Sequence, residues 1–293
     1  MSSPRSSARS GRRLMLLAAA FFVANVLIIR AFGRGGADVW TISALRFAAG
    51  LALCLGMHRK ELDPEALFTR PRLILRGLLG GATTYGFYLT VVKLGAGRAT
   101  FLNNLYVVVS ALLAVWMLRE PFRRPLAAGG VAALAGLGLL TGAFSGPLQA
   151  GPYDAVAMIC VLGSAWVVVT IRQLHQEGIS TANIFAAQCV YGLLLSAPFL
   201  VVHAEWPEPL ACAGLVLGGV FAGAGQLAMT RAYRDLAVAE GALIQTLVPL
   251  GIAAGGMLFF GETLGWSDLG GGLLIVGGSV LPMLWPERDV ARA

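Results

Sequence analysis

Arg46 stands in the run TISALRFAAGLA (residues 41–52), where nearly every neighbour is apolar. A guanidinium in that setting contributes a fixed positive potential and can face a carboxylate. Other polar groups recur in equally apolar stretches. The run ATTYGFY puts Thr84 and Tyr88 four residues apart with Tyr85 beside them, on one face of a helix. Asn103 and Asn104 are adjacent amides, Gln226 and Gln245 are isolated ones, and Asn25 and Trp166 lie near the middle of their runs. Amides serve both an ammonium and a carboxylate while aromatic rings contact a side chain. The set therefore suits a zwitterion, or another small polar ligand with an apolar part.

The elements that must position these residues follow from composition. The chain is 57% hydrophobic and 13% charged, about half the charged fraction of a typical soluble domain, and its mean hydropathy is +0.75. Apolar segments of spanning length run over about 14–33, 39–57, 73–92, 99–118, 126–143, 153–171, 183–203, 209–229, 238–260 and 268–285. The expected fold is an all-α membrane protein with ten transmembrane helices joined by short connections. Arg46 is then the eighth of nineteen residues in the second span, where a charge costs roughly 2.5–3.5 kcal/mol on insertion scales. No acidic residue occurs at mid-depth in any span. Helix-end carbonyls, the amides named above or a water-filled cavity must meet this charge, so Arg46 either borders a substrate cavity or holds broken-helix carbonyls. The other candidates have a packing alternative too, because intramembrane Thr and Tyr bond neighbouring helices and Trp favours lipid interfaces.

Basic residues set the orientation. Seventeen of the 22 Lys and Arg residues, from Arg5 to Arg292, fall on the side of the N-terminus. Arg30, Arg34, Lys93 and Arg98 fall on the other, and Arg46 on neither. The positive-inside rule then predicts an inner (plasma) membrane protein with both termini cytoplasmic. The net charge of +7 is explained by this asymmetry, leaving no folded basic face for nucleic acid. The opening MSSPRSSARSGRRLMLL resembles the start of a secretory signal, but the repeat described next needs the first span, so it is expected to be retained. Cys54, Cys160, Cys189 and Cys212 lie in apolar segments without C-x-x-C spacing and read as packing residues. No cofactor or metal is expected.

Shifted on itself by 142 residues, the chain places Glu120 on Glu262, Arg30 on Arg172, Leu94 on Leu236, Leu105 on Leu247 and Gly129–Gly130 on Gly271–Gly272. Each copy holds five spans, an odd number, so the second enters the membrane from the opposite face. The expected organisation is a cytoplasmic tail over 1–13, five-helix repeats over 14–143 and 153–285, and a second tail over 286–293. An inverted repeat gives a carrier two related conformations, with the substrate near the midplane. Gly77 and Gly81, at GxxxG spacing, read as a close helix contact, and Glu120 and Glu262 as caps of the helices that follow them.

The stretch NNLYVVVSALLAVWMLREPFRRPLAAGGVAALAGLGLL and its partner QTLVPLGIAAGGMLFFGETLGWSDLGGGLLIVGGSVL resemble the duplicated unit of the drug/metabolite transporter superfamily, in its EamA-type branch. The marks are a fourth span ending in Glu, a glycine-rich fifth span and an Arg in the second. Pro249 matches the usual proline of the fourth-type span and is the expected hinge, whereas the first copy has Val107 there. The resemblance implies a secondary exporter of small metabolites, commonly amino acids and including aromatic ones. Sugars, nucleosides or drugs are alternative cargoes. A small-molecule substrate and the lipid bilayer are the partners, and a monomer is expected. A pump would need a G-x-x-x-x-G-K-[ST] loop, which is absent from the sequence. A membrane enzyme would gather His or carboxylates at one interface, yet His58, His175 and His203 are scattered; an enzyme or scaffold is the alternative of a different class.

Overall fold

The computed structural model describes residues 4–32, 38–143, 151–203 and 206–284. The tail expected at 286–293, with Arg288 and Arg292, and the loop position Arg34 lie outside the described residues. The described residues form thirteen α-helices and one 3-10 turn, Arg59–Glu61. In chain order the helices are α1 (Pro4–Phe32), α2 (Val39–His58), α3 (Pro64–Thr69), α4 (Pro71–Leu94), α5 (Ala96–Asn104), α6 (Tyr106–Leu118), α7 (Arg124–Leu140), α8 (Pro152–Gln176), α9 (Thr181–His203), α10 (Pro209–Ala232), α11 (Val238–Gln245), α12 (Leu247–Phe260) and α13 (Trp266–Leu284).

Local signals explain several starts. Asp38 caps α2, its Oδ1 accepting the N–H groups of Trp40 at 2.6 Å and Thr41 at 2.9 Å. Asp63 caps α3 ahead of Pro64, and α10 opens on Pro209, where the missing N–H costs nothing. Seven helical stretches are long and apolar enough to cross a membrane, two of them, Ala96–Leu118 and Val238–Phe260, running through a break. The other three expected segments correspond to α4, α7 and α13, of 24, 17 and 19 residues. Large apolar side chains such as Leu112, Leu258 and Leu273 face outward, while glycine and alanine fill the contacts between helices. That distribution belongs to a chain whose solvent is lipid. The protein is a multi-pass membrane protein.

The breaks fall at corresponding places. In the first copy α5 gives way to α6 at Leu105, whose N–H donates to the Leu102 carbonyl at 3.0 Å, three residues back rather than four. Asn104 adds a side-chain bond to the Thr100 carbonyl at 2.8 Å. In the second copy α11 gives way to α12 at Thr246, one residue off the 142 register, with the same three-residue bond to Leu243 at 3.2 Å. Pro249, the third residue of α12, has no N–H to offer the carbonyl four residues earlier. Val107 stands in that place in the first copy and the helix breaks there as well.

Two compact units result: residues 1–89 with 170–235, and residues 90–169 with 236–293. Each draws on both sequence repeats. In the first, α10 packs on α1 and α2, and α9 on α2. A Cβ built on Gly50 would lie 3.3 Å from Cys189 Sγ, and one on Gly192 would strike the Phe47 ring. The shift of 142 maps 47 onto 189 and 50 onto 192, so the contact is made twice, reciprocally. In the second unit α7 lies antiparallel on α13. Gly129 meets the backbone of Gly278 and Gly136 that of Gly271, again each glycine against the other's mate. Gly77 and Gly81 do make a close contact, the first against Ala187 and the second against Gly192 of α9.

Glu120 corrects the sequence expectation. Its Oε2 accepts the N–H of Val238 at 3.0 Å, so it caps α11 of the other copy rather than α7, which follows it. The chain between Glu120 and Arg124 is extended by Pro121 and carries the carboxylate away from the α7 terminus.

Candidate functional site

The compact units divide the expected site residues. Asn25, Arg46, Thr84, Tyr85, Tyr88 and Gln226 belong to the first; Asn103, Asn104, Trp166, Gln245 and Pro249 belong to the second.

Within the first unit the polar side chains of α2, α4, α9 and α10 converge. Arg46, the eighth residue of α2, is half-buried and donates through Nη1 to the Tyr88 hydroxyl at 2.9 Å. Gly219 allows this approach: a Cβ there would come within 3.0 Å of Arg46 Cα. Arg46, Gln188, Cys189 and Gln226, with Phe47 and Phe185, line a small cavity of about 10 Å³, room for a single water. Gln188, missed by the sequence reading, is the residue onto which the shift of 142 carries Arg46, and Gln226 is likewise the mate of Thr84. The repeat that drew attention to Gln226 held the signal for Gln188 as well.

A second arginine was also missed. Arg76 was counted among the cytoplasmic charges, yet its side chain is fully buried in α4, and its Nη1 donates to Gln188 Oε1 at 2.9 Å. Gly80 makes the space, since a Cβ there would lie 3.1 Å from Arg76 Nη1 and 3.2 Å from Gln188 Cγ. No Asp or Glu occurs in α1, α2, α4, α9 or α10. Arg46 and Arg76 therefore stand among spanning helices that carry no carboxylate.

Of the remaining candidates of this unit, Tyr85 and Thr84 have hydrogen-bond partners, and the buried Asn25 Oδ1 has none. Tyr85 is buried, its hydroxyl donating to the Gly192 carbonyl at 3.0 Å and paired with Ser196 Oγ. Thr84 bonds the Gly80 carbonyl at 2.8 Å, one turn back on its own helix. Asn25 is buried on α1, beside Gly218 of α10. Around Tyr85 lies an aromatic group: Trp40 stacks on Phe199 with ring centroids 3.7 Å apart and stands 4.4 Å from Tyr85, and Phe47 meets Tyr85 edge-on.

In the second unit the candidates flank the helix breaks. Asn104, buried, and Asn103, half-buried, end α5, and Gln245, buried, ends α11. Thr246 and Ser279 join hydroxyls at 2.8 Å, tying the second break to α13. Trp166 is half-buried on α8. Two larger grooves of about 340 and 260 Å³ are apolar; only Glu120 and Arg123 bring charge to the second.

The architecture and the sequence each match known proteins. A solved crystal structure superposes with a TM-score of 0.78 at 17% sequence identity, covering 94% of this chain and 98% of that one; at such identity the likeness is one of fold. No curated protein matches the sequence. The EamA-like transporter family matches twice, over residues 9–142 and again over 152–284. With nearly its whole length accounted for by that duplicated match, the chain belongs to the EamA-like transporter family and is a membrane transporter of small molecules.

Proposed function

We propose that the protein is a secondary carrier that exports amino acids, aromatic ones included, by alternating access. Its repeats, residues 14–143 and 153–285, form ten spans in two oppositely inserted sets, in the plasma membrane with both termini cytoplasmic. The reciprocal contacts of Gly129 with Gly278 and Gly136 with Gly271 support the inversion, because antiparallel helices related by the 142 shift make the same contact twice.

The observation that carries the substrate reading is the convergence of Arg46, Tyr88, Gln188 and Gln226 in one unit. A guanidinium and two amides offer partners to both ends of a zwitterion, and the rings of Tyr88 and Phe185 supply apolar walls. The cavity of about 10 Å³ is far below the volume of an amino acid, so these helices part when substrate enters. Thr84, Tyr85 and Asn25 are further substrate contacts of the first unit; in the second unit Asn103, Asn104 and Gln245, at the helix breaks, and Trp166 are substrate contacts, with Pro249 beside the second break as the hinge.

Counterflow in proteoliposomes, with amino acids, sugars and nucleosides as competitors, tests this reading. Amino acids are expected to compete. Competition by a sugar or nucleoside alone would replace the substrate class, and absence of any counterflow would favour an enzyme or scaffold.

A further inference from the structure

We propose that Arg76 is a substrate-binding residue: with Gln188 it receives the negatively charged group of the cargo, and Arg46 is the neighbouring station for the same charge. The inference rests on the carrier reading above and narrows its substrate to molecules bearing a compact anion, a carboxylate if the cargo is an amino acid.

The argument begins with unmet chemistry. The Arg76 side chain is fully buried, and of its donors Nη1 alone has a hydrogen-bond partner; Nε and Nη2 are buried without one. A guanidinium is always charged and is satisfied best by the two oxygens of a carboxylate or phosphate. The partner it has, Gln188, is neutral. Polar groups enclosed in a low-dielectric interior carry a penalty unless paired, and a charge more so. The five spanning helices of this unit hold no acidic residue to pair with. The missing counter-charge is the kind of group that a carrier's cargo brings.

Placement supplies the second half. Gln188 touches Arg76 with its Oε1 and lines the cavity that Arg46 and Gln226 also line. Arg76 is the sixth residue of α4 and Arg46 the eighth of α2. Gln188, the repeat mate of Arg46, stands between them. An amide is suited to that position, because it accepts from Arg76 when the site is empty and can turn its NH₂ toward an arriving anion. The weak 3.4 Å bond from Gln188 Nε2 to the Gly80 carbonyl leaves this rotation little to break.

Counterflow in proteoliposomes, combined with melting of the purified protein, tests the proposal through analogues of one side chain: phenylalanine, phenylalaninamide, phenethylamine, phenylacetate and phenyl phosphate. Phenylalanine and phenylacetate are expected to compete, and the amide and amine to fail. Gln188→Glu is the informative variant, because its carboxylate occupies Arg76 permanently. It should melt at or above the parent temperature, yet bind the anions about ten- to a hundredfold more weakly, and admit phenethylamine. Arg76→Gln should lose the same discrimination and Arg76→Lys retain part of it; should Arg76→Gln not fold, Gln188→Glu still decides. Anion binding by Gln188→Glu at parental strength, or equal competition by phenylalanine and its amide, overturns the role of Arg76 while leaving an amino acid carrier standing. Competition by phenylacetate or phenyl phosphate without phenylalanine removes the amino acid and keeps the anion site. Failure of every anion to compete overturns it.

Discussion

The bond from Arg46 Nη1 to the Tyr88 hydroxyl joins two residues that the sequence alone singled out separately. A hydrogen bond from a charged donor is worth about 1.5–3 kcal/mol when one partner is removed. Tyr88→Phe, which keeps the ring, should therefore lower thermal stability by an amount of that order, and the loss should vanish in an Arg46→Ala background. A double-mutant cycle by melting checks it; additive effects would mean the contact contributes nothing. The sequence made Arg46, Tyr88 and Gln226 legible because polar groups in apolar runs are conspicuous. Arg76 was illegible for the opposite reason. Six residues from a helix start it resembles an interfacial charge, and only the glycine face of α4 against α9 shows it enclosed. Tyr85 shows a further limit, because the backbone carbonyl that accepts its hydroxyl is one that no sequence pattern reveals.

Among elements, the helix breaks and the cap on α11 show what motif reading reaches. A proline announced the second break, but the break at Leu105 had no such sign. Asn104, chosen for its amide, takes part there by bonding Thr100 on its own helix, in competition with the regular ladder. Glu120 was recognised as a cap and assigned to the wrong helix, since spacing along the chain says nothing of a terminus 118 residues away. A carboxylate at a helix N-terminus combines a hydrogen bond with the favourable end of the dipole. Glu120→Ala should cost about 1–2 kcal/mol, whereas the same change at Gln176, exposed at the end of α8, should be neutral within about 0.5 kcal/mol. Chemical or thermal unfolding of the two variants in detergent distinguishes them.

At the scale of the molecule, the repeat predicts equivalence. Gly136 and its repeat mate Gly278 both lie where α7 crosses α13, and a side chain on either strikes backbone. Gly136→Val and Gly278→Val should each destabilise by about 1–3 kcal/mol, and by similar amounts; Gly130→Val, where nothing lies within 4 Å, should not. Melting curves report the comparison. Opposite insertion makes a second prediction. In a background without Cys54, Cys160, Cys189 and Cys212, cysteine at position 103 should react with an impermeant thiol reagent from outside and cysteine at 245 from inside. Substrate should raise one rate as it lowers the other, because a ligand shifts an equilibrium only by its differential affinity. Labelling of both from one face would contradict the inversion. The duplication was readable in the sequence, but the interleaving was not: the repeats lie end to end in the chain, while each compact unit is assembled from parts of both.

That interleaving has a consequence for how the protein is made. The first unit needs residues 170–235 and the second needs residues 236 onward, so neither can close while the ribosome is still translating the first copy. The helices of the first copy must wait in the bilayer with Arg46 and Arg76 already in the chain and Gln188 not yet synthesised. The early chain is thus a half-built intermediate whose Arg76 guanidinium has yet to meet the Gln188 amide that becomes its partner.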